Sequence, residues 1–232
     1  MQSSRKLVAL LAVVLAVLAL GPAPAAQAGS AQIHVYPPQA HPYGHSYGEW
    51  LIRAVQWWLA TPAPENAVYD HTGAHCAVGQ SGPVWYLIGN EGGTDTRTCT
   101  VPPGKALLFA AALLEVSAGG DCGSTFAALR SCAKSGMDAV TQDGVTVDGV
   151  HLTNLLTRYR FQTPLFTLAY PADDIMGRPG PGTTKSMVDG TLVILAPLAA
   201  GRHTLDLRYS FGPPNPMAGE VTYLLTVRRS AA

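Results

Sequence analysis

The densest group of reactive side chains lies in YDHTGAHCAVGQSG, Tyr69 to Gly82, which holds Asp70, His71, His75, Cys76 and Gln80. His71 and His75 are four residues apart. On a helix that spacing sets two imidazoles on one face, in position to share a metal ion. Thr72-Gly73 between them favours a turn, and the acidic partner of an H-E-x-x-H site is missing. His41 and His45 in HPYGH meet the same objection, with Pro42 between them. A metal held here needs several of the five histidines from His34 to His75 to converge through loops, three or more groups standing about 2.0–2.2 Å from one point. Polar loop residues bonded to backbone are the plainer reading.

A pair of carboxylates is the second possibility. Glu49 and Asp70 flank a Trp-rich segment, and a glycosidase-like carboxylate pair needs two carboxyl groups about 5–10 Å apart across a cleft. Trp50, Trp57, Trp58, Trp85 and Tyr86 suit the apolar face of a sugar. Against this, Glu49 already has a capping task, and Trp at helical spacing is more often core. Nucleophilic catalysis has less support still. Ser81 in G-Q-S-G lacks the spacing of a nucleophile elbow, and no P-loop or G-x-G-x-x-G is present.

For a binding role the candidate contact residues are Trp57, Trp58, Gln80, Arg97 and Lys105. Such a site requires a partly exposed Trp or Tyr in a groove.

The elements that must position these residues follow a signal segment. Arg5 and Lys6 precede an unbroken apolar run from Leu7 to Leu20, and Ala26-Gln27-Ala28 is an A-x-A cleavage signal. The run of 14 is shorter than the roughly 20 residues that span a bilayer. Residues 1–28 are therefore expected to be a signal peptide, leaving a secreted or periplasmic protein with no membrane anchor. Removing two of the 15 basic residues leaves 13 against 15 acidic ones, a net charge of −2 without a nucleic-acid footprint.

Cys76, Cys99, Cys122 and Cys132 all follow that segment, and an even count in an oxidising compartment reads as two disulfides. Three connectivities are open, of which Cys76–Cys99 with Cys122–Cys132 is favoured. A four-cysteine zinc site is disfavoured, because no C-x-x-C pair exists.

Residues 29–45 read as an extended N-terminal segment, and 46–232 as one domain. Ser46 with Glu49 forms a capping box ahead of a helix that Thr61-Pro62 stops. Pro83 to Gly89 and Ala106 to Val116 read as strands, the second opened by the Pro102-Pro103-Gly104 turn. Phe126, Leu129, Ala133, Met137 and Val140 recur at helical spacing. From Gly144 onward, alternating apolar runs separated by turn residues such as Asp148-Gly149 predict strands to the end.

Two strings carry a family resemblance: DHTGAHCAVGQSGPVWYLIGNEGG and RTCTVPPGKALLF. They resemble a group of exported bacterial proteins of unknown function with the patterns D-x-T-G-x-x-C-x-x-G-Q-x-G-x-V-W-F-L and R-x-C-T-V-P-x-G-K-A-L-F-F. The likeness continues through most of the exported part and departs at Tyr86 and Leu108, where phenylalanine is expected. It implies the Cys76–Cys99 pairing and one domain starting near Ser46, and it brings no catalytic residue.

Taken together these features predict a mainly β protein: an antiparallel β-sandwich, jelly-roll or immunoglobulin-like, with an N-terminal Trp-rich helix and one further short helix. The expected function is an extracytoplasmic domain binding an unknown small molecule or glycan without catalysis. The alternatives are a secreted hydrolase using Glu49 and Asp70, or a metal-dependent protein using the His71/His75 loop. No cofactor other than such a metal is expected.

Overall fold

The computed structural model describes residues 33–230. The expected signal segment, its cleavage after Ala28 and the start of the extended segment lie outside them. In chain order the elements are α1 (Tyr47–Ala60), β1 (Val84–Ile88), β2 (Gly93–Val101), β3 (Ala106–Ala110), β4 (Leu113–Ser117) and α2 (Phe126–Asp138). There follow β5 (Val140–Val147), β6 (Val150–Leu152), α3 (Leu155–Arg158), β7 (Arg160–Gln162) and β8 (Phe166–Tyr170). The chain ends with β9 (Gly182–Thr191), β10 (Val193–Leu195), β11 (Gly201–Phe211) and β12 (Met217–Val227).

The protein is mainly β, with its strands in three sheets. Their orders are β1-β3-β10, β2-β12-β11-β5-β6 and β4-β9-β7, with β8 also paired to β9. An antiparallel arrangement throughout was expected, but β1 pairs with β3 and β2 with β12 in parallel. The cause is topological. After β1 the chain leaves for another sheet as β2 and returns as β3, so β1 and β3 run the same way. Burial of all five residues in both strands matches parallel strands covered on each face.

One corner matters for the site. The run from Ala106 to Val116 is not one strand; it bends at Ala111-Ala112 and passes from one sheet to another. Its partner bends with it, as β9 gives way to β10 at Leu192. Between the Phe109–Val193 and Leu113–Gly190 pairs, three residues on one strand face two on the other. That one-residue excess is a bulge, which turns a strand and frees it to change sheets. Gly190 permits the close approach, because a Cβ there would lie 2.6 Å from the Leu113 Cβ.

Ser46 caps α1 through its side chain while Glu49 reaches back, so the capping box forms. The helix buries Tyr47, Trp50, Leu51, Val55 and Leu59 in the main core, to which all three sheets contribute, and it packs against β7 and β8 of the third. Among the described residues the helices are α1, α2 and the one-turn α3, plus two 3₁₀ turns, and no helix is long and apolar enough to cross a membrane. Both disulfides are formed, Cys76–Cys99 with Cα atoms 6.0 Å apart and Cys122–Cys132 at 5.8 Å.

Candidate functional site

The Tyr69–Gly82 loop has no ladder to satisfy its backbone, so its side chains do that work. Asn66 Nδ2 donates to Trp58 O and Thr61 O, both at 2.8 Å, and fastens the start of the loop to the last turn of α1. Asp70 then accepts from the backbone N–H of Thr72, Gly73 and His75 and from the Thr72 hydroxyl, at 2.7–3.0 Å. Burial pushes its carboxyl upward, but these four donors outweigh that and hold it below the usual carboxylate range. Gly73 has a φ of +89°, and a Cβ there would sit 2.3 Å from Thr98 O. Only glycine fits. Thr98 N donates to Thr72 O at 2.7 Å, and the Cys76–Cys99 bond fastens the same loop to β2.

Four of the five residues nominated for binding are occupied in the same way. Gln80 imitates a strand: its Nε2 donates to Tyr86 O at 2.8 Å and its Oε1 accepts from Tyr86 N at 2.9 Å. Lys105 donates to Gly82 O. Trp57 stacks on Tyr86 with ring centroids 5.3 Å apart and donates to Val78 O at 2.9 Å. Arg97, 1% exposed, lies beneath the loop. Its Nη1 donates to Ile88 O, Gly89 O and Tyr223 Oη at 2.9–3.2 Å, and its Nη2 to Val68 O and Asp95 Oδ2 at 3.2–3.3 Å.

His71 sits at the rim of this network, 74% exposed, with Nδ1 2.7 Å from Asp95 Oδ1. Burial raises the Asp95 carboxyl, yet hydrogen bonds from His71 and Asn90 and the Arg97 charge bring it below its ordinary value. His75 enters only through its backbone N–H to Asp70. Among the described residues no three His, Cys, Asp or Glu side chains converge as a metal site would require. Glu49, in the first turn of α1, accepts from the N–H and hydroxyl of Ser46 at 2.7 and 2.8 Å. About 14 Å of helix rise separates it from the Trp58 carbonyl that anchors the Asp70 loop. Each carboxylate thus has a structural task of its own, and neither lines the cavities described next.

Those cavities adjoin one another along β4, with volumes of about 280, 740 and 370 Å³, and Leu114 lines all three. Trp58 stands in the first, its indole N–H buried without a partner. Met176 and Met217, 50% and 43% exposed, form the outer wall, and Asn215 in the β11–β12 turn faces the second and third cavities. The floor is the edge of β4. Thr191 N donates to Ala112 O at 2.9 Å and Ala118 N to Lys185 O at 2.8 Å. Antiparallel alternation then turns the backbone groups of Ala112, Leu114, Val116 and Ala118 toward β9 and those of Leu113, Glu115 and Ser117 away. Ser117 O accepts from Gly120 N, while the N–H and C=O of Leu113 and Glu115 have no backbone partner among the described residues.

Of the residues nominated for catalysis, binding or metal, Trp58 alone lines this groove, together with the disulfide-bonded Cys122 and Cys132. The sequence signal for the rest was the alanine run Ala110-Ala111-Ala112, a weak strand former lodged inside a strong one.

No protein-family model matches the chain, and no curated protein matches it. Two solved structures are similar to part of it. One is PbICP-C in complex with falcipain-2, 15% identical over 63% of this chain and all of that one, with a TM-score of 0.28. The other is Amebosin in solution, 15% identical over 62% of this chain and all of that one, with a TM-score of 0.21. Likenesses this slight carry no argument.

Proposed function

We propose that the chain is a non-catalytic, extracytoplasmic binding domain whose ligand occupies the groove along β4. One observation carries the reading: the groove combines apolar walls, an unpartnered indole N–H on Trp58 and backbone groups of Leu113 and Glu115 without a backbone partner among the described residues, whereas Asp70, Gln80 and Arg97 are mainly engaged in holding backbone elsewhere. Ligand sites are concave and mostly apolar, with a few unspent polar groups. Two disulfides and the expected signal segment support a secreted or periplasmic location. No step of a reaction is assigned to the groove.

The test is thermal unfolding of the protein against peptides, glycans, apolar metabolites and divalent metals, with a chelator control. A ligand at about 100 times its dissociation constant adds about 2.7 kcal/mol of stability. The expected result is a shift with an apolar or amphipathic ligand that disappears in Met217→Trp, a substitution that fills the groove from an exposed position. A shift that survives Met217→Trp and is lost in His71→Ala would move the site back to the Asp70 loop and overturn this reading.

A further inference from the structure

We infer that the occupant of the groove is an extended, lysine- or arginine-bearing polypeptide that adds to β4 as a further strand; this rests on the binding reading above. Leu113 and Glu115 each direct an N–H and a C=O outward at the two-residue repeat of a strand, about 6.8 Å apart. A partner that matches donors and acceptors alternating at that repeat is another extended backbone.

Side chains agree with the same occupant. A strand laid on this edge projects alternate residues to opposite faces. Cavities open near both ends of β4: that of 280 Å³ reaches Leu113 to Glu115, and that of 740 Å³ runs from Leu114 past Ser117. β4 itself carries neither proline nor lysine, two of the devices that keep an exposed edge from pairing.

Charge selects among peptides. Glu91 and Glu115 line the 280 Å³ cavity, and no basic residue does. In the 740 Å³ cavity Arg178 is held by Asp174, through Nε and Nη2 at 2.8 Å each, and its Nη1 donates to Ser117 Oγ at 3.0 Å, so a cationic side chain is better seated at the 280 Å³ end. Oε1 of Glu115 accepts the hydroxyls of Ser117 and Ser186, while its second oxygen has no hydrogen-bond partner among the described residues. The edge therefore offers an acidic lining to a cationic side chain. The same charge disfavours a second copy of this chain, because β4 paired antiparallel with β4 sets the two Glu115 carboxylates opposite or diagonal to each other.

The test leaves the protein unaltered and changes the probe. A fluorescein-labelled eight-residue peptide alternating valine and lysine is titrated with the disulfide-bonded protein by fluorescence anisotropy. Two further peptides carry N-methyl groups on one or the other alternate set of residues. Strand addition predicts that one methylated peptide binds as the parent does and the other at least about tenfold more weakly, since each blocked hydrogen bond costs about fivefold. A valine–glutamate peptide should bind about tenfold more weakly than the valine–lysine one, and Glu115→Gln should narrow that gap about threefold.

Equal binding by both methylated peptides overturns the inference. If these peptides fail to bind but a small apolar ligand still shifts the melting temperature, the groove remains a ligand site and the strand-adding occupant is wrong. If neither binds, both readings fall. A concentration-dependent dimer in sedimentation that Met217→Trp abolishes assigns the edge to a second copy, which also overturns the peptide.

Discussion

Between Tyr69 and Gly82 the backbone runs without a ladder, and Asp70, Gln80 and Arg97 around it are bonded mainly inward; along β4 the ladder to β9 is regular, and the outward N–H and C=O of Leu113 and Glu115 have no backbone partner among the described residues. Asp70 answers four donors, Gln80 both polar groups of Tyr86, and Arg97 carbonyls from β1 and the loop. On β4 the N–H and C=O of Leu113 and Glu115 face a groove. A dense set of reactive side chains therefore marks where an irregular segment needs partners, since buried backbone groups must be satisfied. A site for something outside the protein is better marked by what has been left unmatched.

The comparison makes its largest demand at Arg97. Replacing it by alanine strands Asp95 and several carbonyls in a buried setting and leaves a cavity, at a cost of about 4 kcal/mol. Chemical denaturation should show that loss. Asp70→Ala comes next, at about 3 kcal/mol for four lost hydrogen bonds to a charged acceptor. Because its carboxyl is depressed in the folded state, Asp70 stabilises the fold above the ordinary carboxylate pKa. That contribution fades as pH falls through the folded value, so the gap between wild type and Asp70→Ala should close in acid. Variants of either residue that still fold should bind groove ligands unchanged. Intact folding with lost binding would break the division between the two regions.

Much of the scaffold was legible because the signals were local. Ser46 and Glu49 cap α1, Asp148-Gly149 turns β5 into β6, and alternation in GRHTLDLRYSF gives a strand with one buried face. The parallel pairs were not legible, because they depend on which sheet an intervening strand joins. For the same reason the groove was hidden. It exists because the chain changes sheets at Ala111-Ala112, which turns one apolar run into a buried strand and an edge strand. The polar loop misled in the opposite sense. Asp70, Gln80 and Arg97 have the residue types of a site, and only their partners reveal them as fastenings.

Asp143 on β5 is an aspartate of the opposite kind to Asp70. Both of its carboxyl oxygens are buried without a hydrogen-bond partner, and the nearby Thr191 hydroxyl is committed to Ala112 O at 3.1 Å. Burial pushes its pKa from the ordinary 3.8 up to about 6. The folded state therefore holds the proton more tightly than the unfolded chain does. Its stability is fully present below about pH 4, declines as pH rises through about 6, and stays reduced above that. That rise corresponds to about 3 kcal/mol at most, and an amide keeps some unmatched polarity, so Asp143→Asn should gain about 2 kcal/mol at pH 8 and almost nothing at pH 4. Urea melts of both proteins across that range measure the difference. The same aspartate-to-neutral change would then stabilise here and destabilise at Asp70, with the sign set by whether the surrounding backbone answers the charge. A loss of stability at pH 8 in Asp143→Asn would mean that this carboxylate has partners after all, and that unmatched groups are a poorer guide to the groove than argued.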